Sequence, residues 1–595
     1  TIAFADNDVH VGELSGDYSG ESHVDSVWEN TYVKDGENIC FSTSSTKTDY
    51  TRAKFTNANL IGADFSNAIL TNASFTNAII KGARFNNLEG FTEAQLRSTK
   101  SYQEKDLSGI DLSYNDMTAW DFNGQNLKAA YFGNAKLAVA DFTNANLTKA
   151  DFCQATLKAA DFTNANLASA DCSDANFTNA ILTSASFYNA KLAGADFTNA
   201  TVKGADFGKT VAGSLSGFTE GLTETLLKST KSYQEKDLSG IGLSDNDLTG
   251  WDFNGQNLKA ASFVNAKLIG VDLTNANLTN ANFTSASFIR ANLTNANFTN
   301  ATIDGANFGK TVSKGFTQAQ LKSTKNYQEK DLSGIGLSYN DLTGWNFSGQ
   351  NLQNSDLTYA VLSNANFMNA NLTESALSGA KLYGSDLRGA NLSNINGMPI
   401  YKNTIMVDGV IKNFSMISSA DTLTIRKYIP ATSDGEKINA RIFESDATIS
   451  GGAKLTLERG AVLDVANGKT LTVAYGGYLQ IDTDCTSSTI FNVDANSGLV
   501  FEDYSTLIIN LIGSFGDGVF DVFIFDKDAN IAGMSNFVKG KTLFFKTNGL
   551  IFDGNWDYSV NESSMTISFS VPEPATYATI FGALAFGLAI YRRRK

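Results

Sequence analysis

A hydrophobic residue returns at every fifth position over long stretches of this chain. Phe, Leu or Ile stands at the centre of most five-residue units, Ala usually stands two positions earlier, and most of the other positions are polar. The centres of the first block are Phe55, Leu60, Phe65, Leu70, Phe75, Ile80 and Phe85. The pattern continues from Leu107 to Phe207, from Leu238 to Phe308 and from Leu332 to Leu392. Residues 51–395 therefore form one repetitive region made of four blocks.

A period of five fits neither the 3.6-residue helix nor the alternating strand. It fits a chain that turns by about 90° after each unit, so that four units close a square coil of twenty residues. The central residue and the Ala then point inward, and the other three point outward. Ala is needed because four large side chains cannot share so narrow an interior at close packing.

Stacked coils should align every twentieth residue. Phe122, Phe142 and Phe162 fall in one predicted column, and Asn257, Asn277 and Asn297 form a predicted outer ladder. Such stacks bring identical groups to about 4.8 Å, the spacing of hydrogen-bonded strands. The pattern resembles that of the pentapeptide-repeat family, A-(D/N)-L-x-x. The resemblance implies an all-β fold, a right-handed quadrilateral β-helix.

Three related segments interrupt the repeat, at about 86–106, 208–237 and 309–331. The first has Thr at a helix N-cap and Gln three residues later, which predicts a short helix over Thr92–Thr99. Equivalent helices are expected from about Thr219 and Thr317. Each segment contains a Tyr, and a Trp follows each segment at a matching position: Tyr102, Trp120, Tyr233, Trp251, Tyr327 and Trp345. One hypothesis makes these residues docking sites, and the other makes the helices plugs of the stack, with Trp as packing.

The sequence on either side of the repeat is different. Residues 396–570 contain short apolar runs separated by Gly-Gly or Asn-Gly at intervals of about eight to ten residues, which predicts a β-rich domain, a second β-solenoid or a sandwich. Residues 1–50 are expected to cap the open end of the stack. The segment Ala3-Phe4-Ala5 within them resembles the end of a signal peptide.

The C-terminal segment 571–595 has three parts in order. Val571, Pro572, Glu573 and Pro574 precede an uncharged apolar run, and Arg592, Arg593, Arg594 and Lys595 end the chain. The run, 575–591, is long enough for a short transmembrane helix, and the basic end would stay in the cytoplasm. The segment resembles the PEP-CTERM sorting signal. That resemblance implies a Gram-negative bacterium, a membrane-held intermediate, processing by an exosortase and release to the cell surface or an exopolysaccharide matrix.

The sequence offers little chemistry. Its two His, His10 and His23, lie near the N-terminus, so no catalytic set, cofactor site or metal site is predicted. Asp121, Asp141 and Asp161 share a column, interpreted as solvated carboxylates, with a calcium ladder as the alternative. Cys172 takes a position otherwise held by Phe or Leu and is predicted to be a small core residue. A bridge between Cys40 and Cys485 stays open.

These observations lead to three hypotheses of function. The first is a non-enzymatic, secreted structural or matrix protein at the cell surface, able to stack into oligomers or fibres unless its ends are capped. The second is a surface that binds polysaccharide or ice through flat Thr and Asn faces. The third is a DNA mimic that inhibits gyrase, disfavoured by the export features. A net charge of −15 argues against nucleic acid as a partner.

Overall fold

The computed structural model describes residues 48–209, 221–413 and, between 422 and 569, the strands with some short segments beside them. The chain forms two compact units, Thr1–Gln328 and Glu329–Lys595. The predicted N-terminal cap falls almost wholly outside the described residues, and the predicted sorting segment does so entirely. Within the described part, no helix is long and apolar enough to cross a membrane.

The first unit is a coil of twenty residues per turn. The residue before each central position forms a parallel bridge with the residue twenty further on, as Asp121 does with Asp141 and Asp141 with Asp161. The central Phe and Leu and most of the Ala are fully buried. Phe122 and Phe142 stack with ring centroids 5.0 Å apart, and Phe142 and Phe162 with centroids 4.8 Å apart. The predicted inward columns are confirmed.

The corners of the coil are β-turns. In the turn from Phe142 to Ala145, the Ala N–H donates to the Phe carbonyl at 3.0 Å, and Asn144 has φ of 58°. A positive φ at the second central residue is the requirement of a type II turn, which favours Gly and Asn. This explains why Asn and Gly fill the position two residues after most centres.

Short helices lie in the three interrupting segments. They are α1 (Glu93–Ser98), α2 (Lys100–Gln103), α3 (Glu224–Ser229), α4 (Lys231–Gln234), α5 (Gln318–Ser323) and α6 (Lys325–Gln328), and Val312–Lys314 forms a 3-10 turn. Thr92 and Thr317 cap α1 and α5 with complete capping boxes. In the second segment Thr223 is the N-cap. The expected start near Thr219 is therefore wrong by one helical turn.

The second unit begins with the fourth block of the five-residue repeat, which also forms a coil of twenty residues per turn, and continues into strands. These are β1 (Thr404–Ile405), β2 (Ile411–Lys412), β3 (Thr422–Ile425), β4 (Ala440–Ile442), β5 (Ala447–Ile449), β6 (Lys454–Leu457), β7 (Leu463–Val465), β8 (Thr470–Val473), β9 (Tyr478–Thr483), β10 (Phe491–Val493), β11 (Gly498–Phe501), β12 (Thr506–Leu511), β13 (Gly518–Phe525), β14 (Asn530–Ala532), β15 (Leu543–Thr547), β16 (Leu550–Phe552), β17 (Trp556–Val560) and β18 (Ser564–Phe569).

Strands β3 to β15 form three parallel sheets. One contains β3, β6, β9, β12 and β15, another β4, β7, β10 and β13, and the third β5, β8, β11 and β14. Each coil thus gives one strand to each sheet, which is a three-sided β-solenoid and decides between the two predicted alternatives. Strands β16, β17 and β18 pair antiparallel at the C-terminal end.

Candidate functional site

The first interrupting segment joins the coil below it to the coil above it. Asp111 bridges Arg84 although the two are 27 residues apart, so the segment adds seven residues to one coil. The second adds more, because Gly242 bridges Asp206, 36 residues earlier. The coil stack nevertheless continues through both segments in the first unit.

Side chains complete the hydrogen bonding where the inserted helix replaces a strand. The Ile80 N–H donates to Ser101 Oγ at 2.9 Å, where elsewhere in the stack a backbone carbonyl accepts. The Val202 N–H donates to Ser232 Oγ in the same way, at 2.9 Å. Both serines are buried. A buried N–H without a partner would cost about 1–3 kcal/mol. These hydroxyls therefore stabilise the seam, the junction at which the inserted helix replaces a strand of the coil.

Helix α1 is tied to both neighbouring coils. The Gln95 side-chain amide donates to the Leu70 and Ala73 carbonyls at 2.8 Å each. On the other side, Glu93 Oε1 accepts from the Asp121 N–H at 2.9 Å. Glu224 makes the equivalent bond to the Asp252 N–H at 2.8 Å in the second segment. Sequence reasoning missed these residues, although Glu recurs at that position in both segments.

The tyrosines proposed for docking are half-buried. Tyr102 OH donates to the Asp121 carbonyl at 2.8 Å, and the Arg97 guanidinium lies 5.7 Å from its ring centroid. Burial, and then the charge of Asp121, raises the pKa of Tyr102 to about 12. Tyr233 donates to the Asp252 carbonyl at 2.6 Å, and its pKa is about 12 for matching reasons. These phenols therefore act as neutral hydrogen-bond donors that hold each segment to the coil above.

Tyr327 lies in the third segment, at the end of the first unit. It is also half-buried, and burial raises its pKa. Its helix pair is tied to the coil below as the first is. The Gln320 amide donates to the Leu293 and Ala296 carbonyls at 2.7 and 2.8 Å, and the Ile303 N–H donates to Asn326 Oδ1 at 2.7 Å.

The tryptophans are buried and occupy the inward position that Ala holds elsewhere. Trp120 and Trp251 are each 9% exposed, and Trp345 is 8% exposed. Trp120 contacts Phe91, with ring centroids 5.7 Å apart, and Phe122. At Trp120 the inserted segment supplies Phe91 as a packing partner, so a large side chain fills that position. So small an exposed area favours the packing hypothesis over docking for these three residues.

The outer faces carry polar side chains that bond to their own turns. Asp161 Oδ1 accepts from the Thr163 N–H at 2.8 Å and from Thr163 Oγ1 at 2.6 Å. Thr279 makes the same pair of bonds to Asn277 Oδ1. This geometry explains the Asp or Asn before each centre, which sequence reasoning left unexplained.

The predicted Asn ladder exists in part. Asn277 Nδ2 donates to Asn257 Oδ1 at 3.1 Å, whereas Asn297 Nδ2 donates to Thr279 Oγ1 instead. The ladder therefore changes partner after one Asn–Asn step.

The described residues contain neither a cluster suited to a metal ion nor an exposed reactive thiol at Cys172. No group of three His, Cys, Asp or Glu side chains there could hold a metal ion, so the calcium alternative gains no support. Cys172 is fully buried, as predicted, and burial raises the pKa of its thiol. Cys40 and Cys485 lie outside the described residues.

Known proteins share the repeat. The sequence matches the family model described as pentapeptide repeats in eight copies, over residues 51–87, 135–171, 170–208, 237–275, 276–312, 331–369 and 355–394. The chain is similar to a solved pentapeptide repeat protein from the Arabidopsis thaliana thylakoid lumen. That identity is 35%, over 17% of this chain and 70% of the other, at a TM-score of 0.16. No curated protein matches the chain.

Two further solved structures are more distant. HetL, a pentapeptide repeat protein involved in heterocyst differentiation regulation in the cyanobacterium Nostoc, is 19% identical, with 62% of this chain and 94% of HetL covered, at a TM-score of 0.11. QnrB1, a plasmid-mediated fluoroquinolone resistance protein, is 17% identical, with 36% of this chain and 92% of QnrB1 covered, at a TM-score of 0.17.

Proposed function

The chain belongs to the pentapeptide-repeat family, and from that premise we propose that it is a non-catalytic scaffold exported to the cell surface or extracellular matrix. The observation that carries the proposal is the filled interior of the repeat. Its central residues and Ala are buried with almost no exposed area, as Phe142, Leu147 and Ala145 illustrate. A repeat with a packed interior and with short outer side chains that bond to their own turns suits a structural role.

The proposed location rests on the C-terminal sequence. Pro572, Glu573 and Pro574 would be the processing motif of an exosortase-like protease. Residues 575–591 would hold the intermediate in the inner membrane of a Gram-negative bacterium, and the four terminal cations would keep that end in the cytoplasm. The mature protein would then be released to the surface, with exopolysaccharide as a candidate partner.

Two measurements on the native host test this proposal. An antibody against the coil should label intact cells, and mass spectrometry of the surface protein should find no peptide from 575–595. Replacing Pro572, Glu573 and Pro574 together by Ala should leave the full-length chain in the membrane fraction. Pro399→Ala, a control outside the motif, should be processed normally. A surface protein that keeps Lys595, or a chain found only in the cytoplasm, would overturn the proposal.

A polysaccharide-binding role is the second candidate, and exposed tyrosines favour it. Tyr339 and Tyr359 in the second unit are 53% and 56% exposed and stack with centroids 5.1 Å apart. Tyr combines an apolar ring with a hydrogen-bonding hydroxyl, which suits recognition of polar ligands. Tyr359→Ser should reduce retention of the purified protein on the host's exopolysaccharide, and Tyr114→Ser provides a control in the first unit. Equal retention of wild type and Tyr359→Ser would count against the role.

Ice binding has less support. Thr hydroxyls such as Thr163 and Thr279 donate to their own turns, so they offer only acceptor lone pairs outward. Absence of thermal hysteresis at micromolar protein would end this version.

The DNA-mimic hypothesis is also weakened by the outer faces of the first unit. Lys side chains pair with the acidic columns, as Lys191 does with Asp171 at 2.8 Å and Lys203 with Asp237 at 2.9 Å. Such pairs interrupt the continuous negative charge that mimicry of DNA needs. Inhibition of gyrase supercoiling by submicromolar protein would restore this hypothesis and contradict the scaffold proposal.

A further inference from the structure

A buried ion pair lies where the last repeat coils meet the second solenoid, inside the second unit. Arg388 is 1% exposed and Asp386 is fully buried. The guanidinium binds the carboxylate through two bonds, Nε to Oδ1 at 3.0 Å and Nη2 to Oδ2 at 2.7 Å. Both residues stand at outward positions beside the central Leu387. In the first unit, the outward pair of Lys191 and Asp171 is 46% and 31% exposed.

The burial comes from a segment of the second solenoid. We call Arg426–Tyr428 together with Ile438–Asn439 the strap. Arg388 donates from Nη1 to the Ile438 carbonyl at 3.0 Å and from Nη2 to the Arg426 carbonyl at 2.6 Å. Its Cζ lies 5.6 Å from the centroid of the Tyr428 ring. The strap therefore uses one side chain of the coil as its main polar attachment.

Two further contacts hold the strap against the coils. Tyr428 OH donates to Asn369 Oδ1 at 2.8 Å, and Arg426 Nη2 donates to the Asn364 carbonyl at 2.8 Å. Gly389 makes this approach feasible, because a Cβ there would lie within 2.5 Å of both Tyr428 OH and its acceptor Asn369 Oδ1.

Both members of the ion pair that anchors the strap belong to the coil. If the strap lifts, Arg388 and Asp386 stay bonded to each other and regain water, so no unpaired charge is left on the coil. The hydration lost on burial of an ion pair is large, and regaining it offsets part of the lost contacts. The strap carbonyls also exchange one donor for water. The coil beneath keeps its own ladder, since the Gly389 N–H donates to the Val407 carbonyl at 3.0 Å.

We propose that the strap is a latch, which opens and closes on the last repeat coils through the paired Arg388 without unfolding them. Local opening of this kind is a recognised source of uneven hydrogen-exchange protection within one fold. The latch would let Arg426–Tyr428 and Ile438–Asn439 detach while the coil remains intact.

Hydrogen exchange of the full chain, read by mass spectrometry, tests the latch. Gly389→Ala and Gly344→Ala are matched, since both glycines have positive φ, of 69° and 74°, but a Cβ at 344 would meet nothing within 4 Å. We expect Gly389→Ala to speed exchange of the strap amides at least tenfold and Gly344→Ala to change it less than twofold. Coil amides over 352–387 should keep their protection in Gly389→Ala.

Equal effects of the two glycine variants would overturn the proposal, as would strap and coil amides that accelerate together.

A second pair of variants tests the charge pairing. Arg388→Met leaves the Asp386 carboxylate without its partner and should speed strap exchange at least tenfold. Adding Asp386→Leu removes that unpaired charge but does not restore the bonds from Arg388 to the strap carbonyls, so strap exchange should be at least threefold slower than in Arg388→Met and still faster than in wild type. If the double variant exchanges as fast as the single one, the ion pair is not the latch. Should Arg388→Met fail to fold, the glycine pair still decides.

Discussion

Single residues at the corners of the coil decide how easily each turn forms. The five-residue period was enough to predict which side chains point inward, because burial follows directly from the spacing of Phe, Leu and Ala. It did not reveal that the residue two after each centre has positive φ, since backbone conformation leaves no hydrophobic pattern. The repeated Asn and Gly at that position, as at Asn144 and Gly124, were the available evidence.

Val139 occupies such a corner with φ of 53° and a β-branched side chain that is 53% exposed. Left-handed backbone costs an ordinary L-residue about 1–2 kcal/mol, and Asn tolerates it better. Val139→Asn should therefore raise the free energy of unfolding by about 1 kcal/mol, measured by urea titration. Asn144→Val should lower it by a similar amount. A destabilised Val139→Asn would contradict this account of the corners.

Asp237 gives a prediction for pH. Hydrogen bonds from Ser239, and also from Lys203, outweigh its partial burial and lower its pKa to about 2. Because the folded pKa lies below the unfolded value of about 4, the fold favours the ionised form. The contribution is fully present above pH 4 and is lost as the pH falls towards 2.

The stability difference between wild type and Asp237→Asn should therefore shrink between pH 5 and pH 2 in urea titrations. Lys203→Met removes the ammonium 2.9 Å from Asp237 and should flatten the pH dependence. A difference that stays constant down to pH 2 would be inconsistent with the lowered pKa.

Among the elements, the helical segments were partly predictable. The Thr92 and Gln95 pair indicated a capping box, and the structure has one. The predicted helix start in the second segment was wrong because Phe218-Thr219 repeats the Phe-Thr pair that precedes the first helix. The helix is instead capped by Thr223. Counting back from the shared Tyr233 would have identified Thr223. The seam bonds of Ser101 and Ser232 could not be foreseen, since their partners lie 21 and 30 residues away.

The second segment has Leu226 where the first has Gln95. Gln95→Leu removes two bonds to coil carbonyls and one capping interaction, so it should destabilise the first segment by about 1–2 kcal/mol. Leu226→Gln should stabilise the second by a fraction of that amount. Exchange rates of the α1 and α3 amides provide the readout. If Gln95→Leu leaves the exchange rates of the α1 amides unchanged, the cap does not contribute to the stability of the segment.

At the level of the whole molecule, the all-β solenoid of the repeat region was predictable from the sequence. The choice between a solenoid and a sandwich for residues 396–570 was not. Alternating strands such as Leu455–Leu457 suit a sandwich or a solenoid equally, and only parallel pairing, as between Leu455 and Leu479, separates them. The Arg388 attachment lay beyond the sequence for a similar reason. Its partners Arg426 and Ile438 are 38 and 50 residues away and share no motif with it.

Coils contact mainly their neighbours, so damage to one should stay local. Phe142→Ala removes a fully buried ring from a stacked column and should cost about 3–5 kcal/mol. We expect hydrogen exchange to accelerate over residues 107–207, while amides over 352–387 in the other unit keep wild-type rates. Leu362→Ala is the reciprocal control. Uniform acceleration along the whole chain would mean that the repeat unfolds as one cooperative body.

The side-chain seam also bears on how this gene can change in length. Ser101 and Ser232 complete the backbone hydrogen-bond ladder in the same way. Recombination between the first and second interrupting segments would therefore join one seam to the other without disturbing either neighbouring coil. Removal of residues 100–230 places Lys231 directly after Thr99 and keeps a complete seam. Such a deletion should yield a shorter protein with unchanged circular dichroism per residue. Natural variants would then differ by whole blocks, and copy number would set how far the scaffold reaches.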